Sequence, residues 1–512
     1  MTAATEVPAR PRPARAARAA PLSAARLLRI ELWRNAMPWV LPLVAALFWF
    51  DSYRPSTAQP PIWALRTFWN MGQGATIVDF GPIVAGVAAW VGSREGRRGA
   101  ADLVTATARP RWTAQLITWA ATAIWAVGAY LAFVGVLFGV YAYQGVQGSP
   151  PWWWVAVGAA AVTAFSAAGF ALGACFPSRF AAPLAAFGGF LAMVMSSQTG
   201  FRDTTGWAQV LPTNSNGNFQ AMSGVFYRWL PDLPIARVMF LAGLAAVALG
   251  LLGLPPRAGG RGLRRAAAVV AAAGLAASGT AVGLAATARL TPQGLAVPAL
   301  HDAANDRPVP YTPACGHAAG IPVCLNPAYR RYLPDVTAAL RPVLGELAGL
   351  PGAPARAAQV PGTYTGGEGG GSGAALTISG HPPVLGMRLD DLATLPGSTG
   401  FTSGSETMAQ FADELKVLST AAFVGTAASA GTPAQQAVQS ALLQDAGVPF
   451  AAQPKPLAGG KGGPGPGAGP AAGPVYAAAR RLAALPPAAR RAWLAAHLAA
   501  LRAGRLPLAS LP

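Results

Sequence analysis

Residues 112–141 read WTAQLITWAATAIWAVGAYLAFVGVLFGVY, thirty positions without a charged side chain. A helix needs about 20 apolar residues to cross a hydrocarbon core of about 30 Å, so this run predicts a membrane span. Working outward, the same reading applies to Ala36–Phe50, Ala75–Val91, Trp152–Phe176, Phe180–Ser196, Val238–Leu254 and Ala266–Thr287. The fourth of these seven stretches opens on Trp152-Trp153-Trp154, an aromatic belt suited to a membrane–water boundary. The first is short, and Trp33 with a snorkelling Arg34 extends it. The last is mostly Ala and Gly, and its insertion decides on which side the remaining chain lies. The expected fold class is mainly α: a polytopic α-helical membrane domain of about seven spans, followed by a small α/β extracytoplasmic domain.

Composition agrees with that reading. Of 512 residues, 53% are hydrophobic and 11% charged, against about 25% charged in ordinary soluble domains. A disordered chain needs the opposite balance. A purely soluble enzyme would have too few charges to cover so much apolar surface. The formal charge of +19 suggests nucleic acid until it is mapped. Residues 1–289 hold 23 Arg against 8 acidic residues, whereas 290–512 hold 15 basic and 11 acidic residues. With the N-terminus inside, 17 Arg fall in inner segments and five in outer loops, namely Arg54, Arg66, Arg202, Arg228 and Arg237. That bias orients a membrane protein in the plasma membrane. No motif for nucleic acid accompanies it.

The expected organisation follows. Residues 1–35 form a basic cytoplasmic N-terminus, 36–289 the transmembrane domain, and 290–457 the extracytoplasmic domain. Residues 458–474 are a linker of Gly and Pro, and 475–512 a C-terminal helical segment. Arg26–Arg34 reads either as an interfacial helix or as a polar extension of the first span. Asp79 is the one acidic residue inside an expected span. It is a functional suspect on that ground, or a solvated helix start near the outer end. Cys175 reads as a small apolar core residue.

The loop after the second stretch is the most informative. It runs Arg94-Glu95-Gly96-Arg97-Arg98-Gly99-Ala-Ala-Asp102-Leu103 and reaches Pro110 before the long third stretch. With the N-terminal helix before it, this arrangement resembles the permeases of type-2 ABC transporters. It looks most like the actinobacterial members that carry an extra extracytoplasmic domain, although the run from Gly99 to Pro110 is longer than in the commonest members. The resemblance implies that Arg94, Glu95, Arg97, Arg98, Gly99 and Leu103 belong to a coupling helix that docks on a separate ABC ATPase subunit. Arg97 and Arg98 would meet its acidic surface, and Glu95 would pair with Arg98 or hold the loop. It further implies a homo- or heterodimer of permeases in the lipid bilayer, exporting a substrate, without a cofactor of its own because ATP is bound by the partner subunit. Two alternatives stand beside it. The arginines satisfy the positive-inside rule by themselves, and a non-transport scaffold or sensor would display the same outer domain.

Catalytic motifs point the same way. A P-loop needs Lys between Gly and Ser or Thr; Lys416, Lys455 and Lys461 all fail that test. His-Glu-x-x-His and Gly-x-Ser-x-Gly do not occur, so the chain reads as no enzyme. In the second half, Pro327–Leu350 has helical spacing, with Pro334 and Pro342 placed at its start or at a kink. Ala355–Val360 and Ala374–Ile378 read as strands and Thr407–Thr426 as a helix. Tyr476–Arg502 is helical but split at Pro486-Pro487, and its pairs Arg480-Arg481 and Arg490-Arg491 read as solvated faces. Cys315 and Cys324 are separated by eight intervening residues, His317 among them. A disulfide, worth about 2–3 kcal/mol, is favoured over a metal site, because His301, His381 and His497 lie at no ligand spacing.

Overall fold

In the computed structural model, the described residues are 20–52, 80–97, 110–148, 150, 152–202, 206–211, 225–291, 294–361, 376–389, 392, 404–426, 431–450, 453 and 473–512. The first part is helical: α1 (Ala20–Trp33), α2 (Met37–Ser52), α3 (Phe80–Gly92), a single turn Arg94–Arg97, α4 (Arg111–Tyr143), α5 (Trp152–Cys175), α6 (Ala181–Arg202), α7 (Asp232–Leu252) and α8 (Arg261–Ala286). Helices α2 to α8 fall on the seven apolar stretches. Among the described residues, α4, α5, α7 and α8 are long and apolar enough to cross a membrane, at 33, 24, 21 and 26 residues. Three shorter apolar stretches are Met37–Leu47, Phe80–Gly92 and Ala181–Met195. This is the character of a multi-pass membrane protein.

Small residues decide how these helices pack. On α5, Gly169 and Gly173 lie against the backbone carbonyls of Ala85 and Ala89 on α3, where a Cβ would collide with main chain. Helices α7 and α8 form an antiparallel hairpin, with Gly243 against Gly274 and Ser278, and Gly250 against Ala267 and Ala271. The Ser278 hydroxyl donates to the Phe240 carbonyl at 3.0 Å, and the Trp112 indole donates to the Leu249 carbonyl at 2.9 Å. Without a hydrophobic drive between helices in lipid, such close contacts and hydrogen bonds hold a bundle together. Helix α1 is fastened to α4 by the Trp125 indole, which donates to the Leu32 carbonyl at 2.9 Å. The buried Asn35 donates to the Thr122 hydroxyl, accepts the Met37 N–H, both at 2.9 Å, and so caps α2.

Two sequence expectations change here. Helix α7 begins at Asp232, not Val238, so Arg237 lies within the helix and is 1% exposed, not in a loop. Its Nε donates to the Gln209 carbonyl, and its guanidinium carbon sits 5.0 Å from the Trp154 ring centroid. A charge with those partners need not end a helix. Cys175 is exposed. It is the last residue of α5, beyond the contact that Gly173 makes with α3.

After α8 come the hairpin β1 (Arg289–Thr291) and β2 (Gly294–Ala296), then β3 (Ala314–Ala318), β4 (Ile321–Leu325), α9 (Leu333–Leu347), β5 (Arg356–Gln359), β6 (Leu376–Ser379) and β7 (Val384–Met387). The sheet has the order β3-β4-β5-β7-β6, parallel at β4/β5 and β5/β7 and antiparallel at both edges. Among the described residues, this part is completed by the helices α10 (Gly404–Val424), α11 (Pro433–Asp445), α12 (Pro474–Ala483) and α13 (Pro487–Arg502). Pro334 is accommodated at the start of α9, while Pro342 lies inside it.

One core joins Val323, Leu325, Leu340, Leu385, Phe411 and Leu415. Val225 and Phe226, from the segment before α7, are buried in the same core, and the Phe226 carbonyl accepts the Val309 N–H at 2.7 Å. A second core joins Val343, Phe423, Val438, Leu442, Leu494 and Leu498, so α12 and α13 pack on α9, α10 and α11. Arg490 does not lie on a solvated face. It is 4% exposed and pairs with Glu346 at 3.1 Å and Asp445 at 3.0 Å. Burial pushes the Asp445 carboxyl up, opposed by the Arg490 charge and reinforced by Glu346.

Candidate functional site

Two charged clusters lie at the ends of the helical part. The first is the turn expected from sequence. Helix α3 ends where Gly92 meets the Phe170 carbonyl and Ser93 turns its hydroxyl back onto the Trp90 carbonyl at 3.0 Å. The chain then makes the turn Arg94–Arg97, and Gly96 packs on Pro177 in the α5–α6 connection. Arg94 donates from one Nη to both carboxylate oxygens of Glu31 on α1, at 2.9 and 3.0 Å. Glu95 stands 3.9 Å from Arg111 at the start of α4, which brings together residues on the two sides of segment 98–109. Arg97 lies 3.6 Å over the Trp90 ring and donates to the Trp90 carbonyl at 3.1 Å. Such a cation–π contact restrains a long side chain without neutralising it.

Arg94, Glu95 and Arg97 are thus gathered in one turn, tied to α1 and α4. Arg98, Gly99 and Leu103, and the suspect carboxylate Asp79, lie outside the described residues. Helix α1 leaves Arg26 and Arg29 exposed together with Leu27, Ile30 and Trp33, and Arg34 just beyond its end is exposed too. That mixture suits a helix lying at an interface.

The second cluster has no counterpart in the sequence reading. Asp232, the first residue of α7, is fully buried where the helical hairpin meets the sheet domain. An acidic residue there is favoured by the helix dipole. Its Oδ2 accepts the Val297 N–H and faces His301 Nδ1, both at 3.0 Å. The other ring nitrogen of His301 is 3.1 Å from Asp306 Oδ2. The Asp306 hydrogen bond raises the His301 pKa; burial lowers it, and the Asp232 bond and charge raise it further, leaving it above the ordinary value. Leu295 packs on Leu233 beside them. The only advance signal was the pair of carboxylates at 302 and 306 after His301; nothing local announces a partner 69 residues earlier.

Cys315 and Cys324 face each other across β3 and β4 and are joined in a disulfide. Among the described residues, no group of three or more His, Cys, Asp or Glu is placed to hold a metal. Compared with family models, curated proteins and solved structures, the chain matches none.

Proposed function

We propose that the chain is the membrane-spanning permease subunit of an ABC transporter, an exporter that works as a dimer with a separate ATPase. In this reading all seven apolar helices span, the N-terminus is cytoplasmic, and the sheet domain is extracytoplasmic. The observation that carries it is the turn Arg94–Arg97. It is tied to α1 through the Arg94–Glu31 ion pair, faces Arg111 at the head of α4 across 3.9 Å through Glu95, and rests on the α5–α6 connection through Gly96. A push on that turn reaches α1, α3, α4 and α5 at once, which a coupling element requires. Mere positive-inside charge needs no such clamp.

The test is affinity capture of the chain from native membrane, followed by ATP hydrolysis of the captured complex. An ATPase should accompany the wild type. Arg97→Glu with Arg98→Glu should lose the ATPase or its stimulated activity, because attraction to an acidic surface becomes repulsion worth several kcal/mol. Insertion should survive through the remaining inner arginines. A complex that assembles with undiminished activity in the double variant removes the coupling role. One observation favours the scaffold or sensor reading: the sheet domain is joined to the α7–α8 hairpin through buried Asp232. Capture without any ATPase would support it.

A further inference from the structure

We propose that Asp232, His301 and Asp306 form a protonation-dependent clasp that fastens residues 297–306 to the α7–α8 hairpin, closed when the imidazole carries two protons and slack when it carries one. The geometry points to this, with both carboxylates ionised. Each ring nitrogen of His301 faces a carboxylate oxygen, at 3.0 and 3.1 Å. An ionised carboxylate only accepts, and only the imidazolium donates from both nitrogens. When one proton leaves, one nitrogen becomes an acceptor pointed at an acceptor. The raised pKa of His301, set first by the Asp306 hydrogen bond, agrees with that demand.

Among the described residues, the charged groups around the ring are few. Helix α7 contributes Asp232, while its Arg237 is directed to the Gln209 carbonyl and Trp154. The hairpin β1–β2 carries Arg289, which is exposed. The turn after His301 contributes Asp306 and Asp302, whose carboxylate caps the Ala304 N–H at 2.9 Å; Arg307 beyond them is exposed. Asp232 is fully buried, and among the described residues its Oδ1 has no hydrogen-bond partner. The carboxylate therefore depends on Val297 and His301 for the partners it has. The closed clasp stands below the ordinary histidine pKa and is lost as pH rises through the raised value in the folded protein. It stands whether or not an ATPase binds.

Hydrogen exchange on the full-length protein in lipid nanodiscs tests it, read at peptides covering 297–306 and normalised to the disulfide-bonded hairpin 314–325. In the wild type, normalised protection should be high near about pH 6 and lost toward about pH 9, bracketing histidine titration. In His301→Gln the pH dependence should vanish. In Asp306→Asn protection should persist at the alkaline end, because the amide can donate to the neutral ring. A His301→Gln profile that matches the wild type overturns the clasp. So does an Asp306→Asn protein that opens like the wild type, and this second variant decides the matter if the first does not fold.

Discussion

The charged turn and the buried junction use the same residue types to opposite ends. At the turn, Glu31 and Arg94 keep 20% and 27% of their side chains exposed, and each can exchange its partner for water. At the junction Asp232 is fully buried, and two donors share one of its oxygens. An exposed ion pair contributes about 0–1 kcal/mol, whereas removing one partner of a buried one costs about 3–5 kcal/mol. The turn is therefore a contact that exchanges readily with water, and the junction a joint that holds as long as His301 keeps both protons. The difference is one of solvent, not of charge.

Asp232→Ala should break the comparison most sharply. It leaves the Val297 N–H and His301 without their buried acceptor and should cost about 3 kcal/mol. Thermal unfolding of the purified protein measures this, and a loss as small as that of Glu31→Ala would abolish the distinction. Next in size, Cys315→Ser with Cys324→Ser should lose about 2 kcal/mol, because the bridge closes a short loop. That loss should be independent of pH, in contrast to the junction. Third, stability should fall as pH rises through the raised His301 value, since a folded-state pKa above the unfolded one stabilises only while the proton is held. Unfolding in a pH series, wild type against His301→Gln, reads this term. The smallest stability effect belongs to Glu31→Ala, about 0–1 kcal/mol. Its weight should appear instead in ATP hydrolysis of the captured complex, and Glu31→Arg with Arg94→Glu should restore what either change alone removes.

Much of this architecture is legible in the chain because local chemistry dictates it. Uncharged runs become helices α2 to α8, and Pro486-Pro487 separates α12 from α13. The Cys spacing closes on adjacent strands. Arg237 misleads because charge is read as a span boundary, while the carbonyl and ring that accommodate it come from residues 209 and 154. Arg490 misleads for the same reason. Its basic neighbour suggests a wet face, and only the fold brings Glu346 and Asp445 to it. Of the candidate site, the sequence shows the Arg94–Arg97 turn but not its tie to Glu31, 63 residues away. Nor does it show the Asp232–His301 joint. Burial and long-range pairing are properties of the assembled fold, and a single chain read locally carries no record of them.

The placement of Val225 and Phe226 in the core of the sheet domain has a consequence for how the protein is made. These residues leave the ribosome about 190 residues before Leu415, which completes the same core. At about 5–20 residues per second, that is a wait on the order of ten to forty seconds. For the first part of it, until Val309 and Tyr311 follow about 85 residues later, Phe226 lacks even these neighbours. Whatever shields Phe226 in that interval, lipid or a chaperone, must release it on time, so synthesis rate becomes a determinant of yield for this chain.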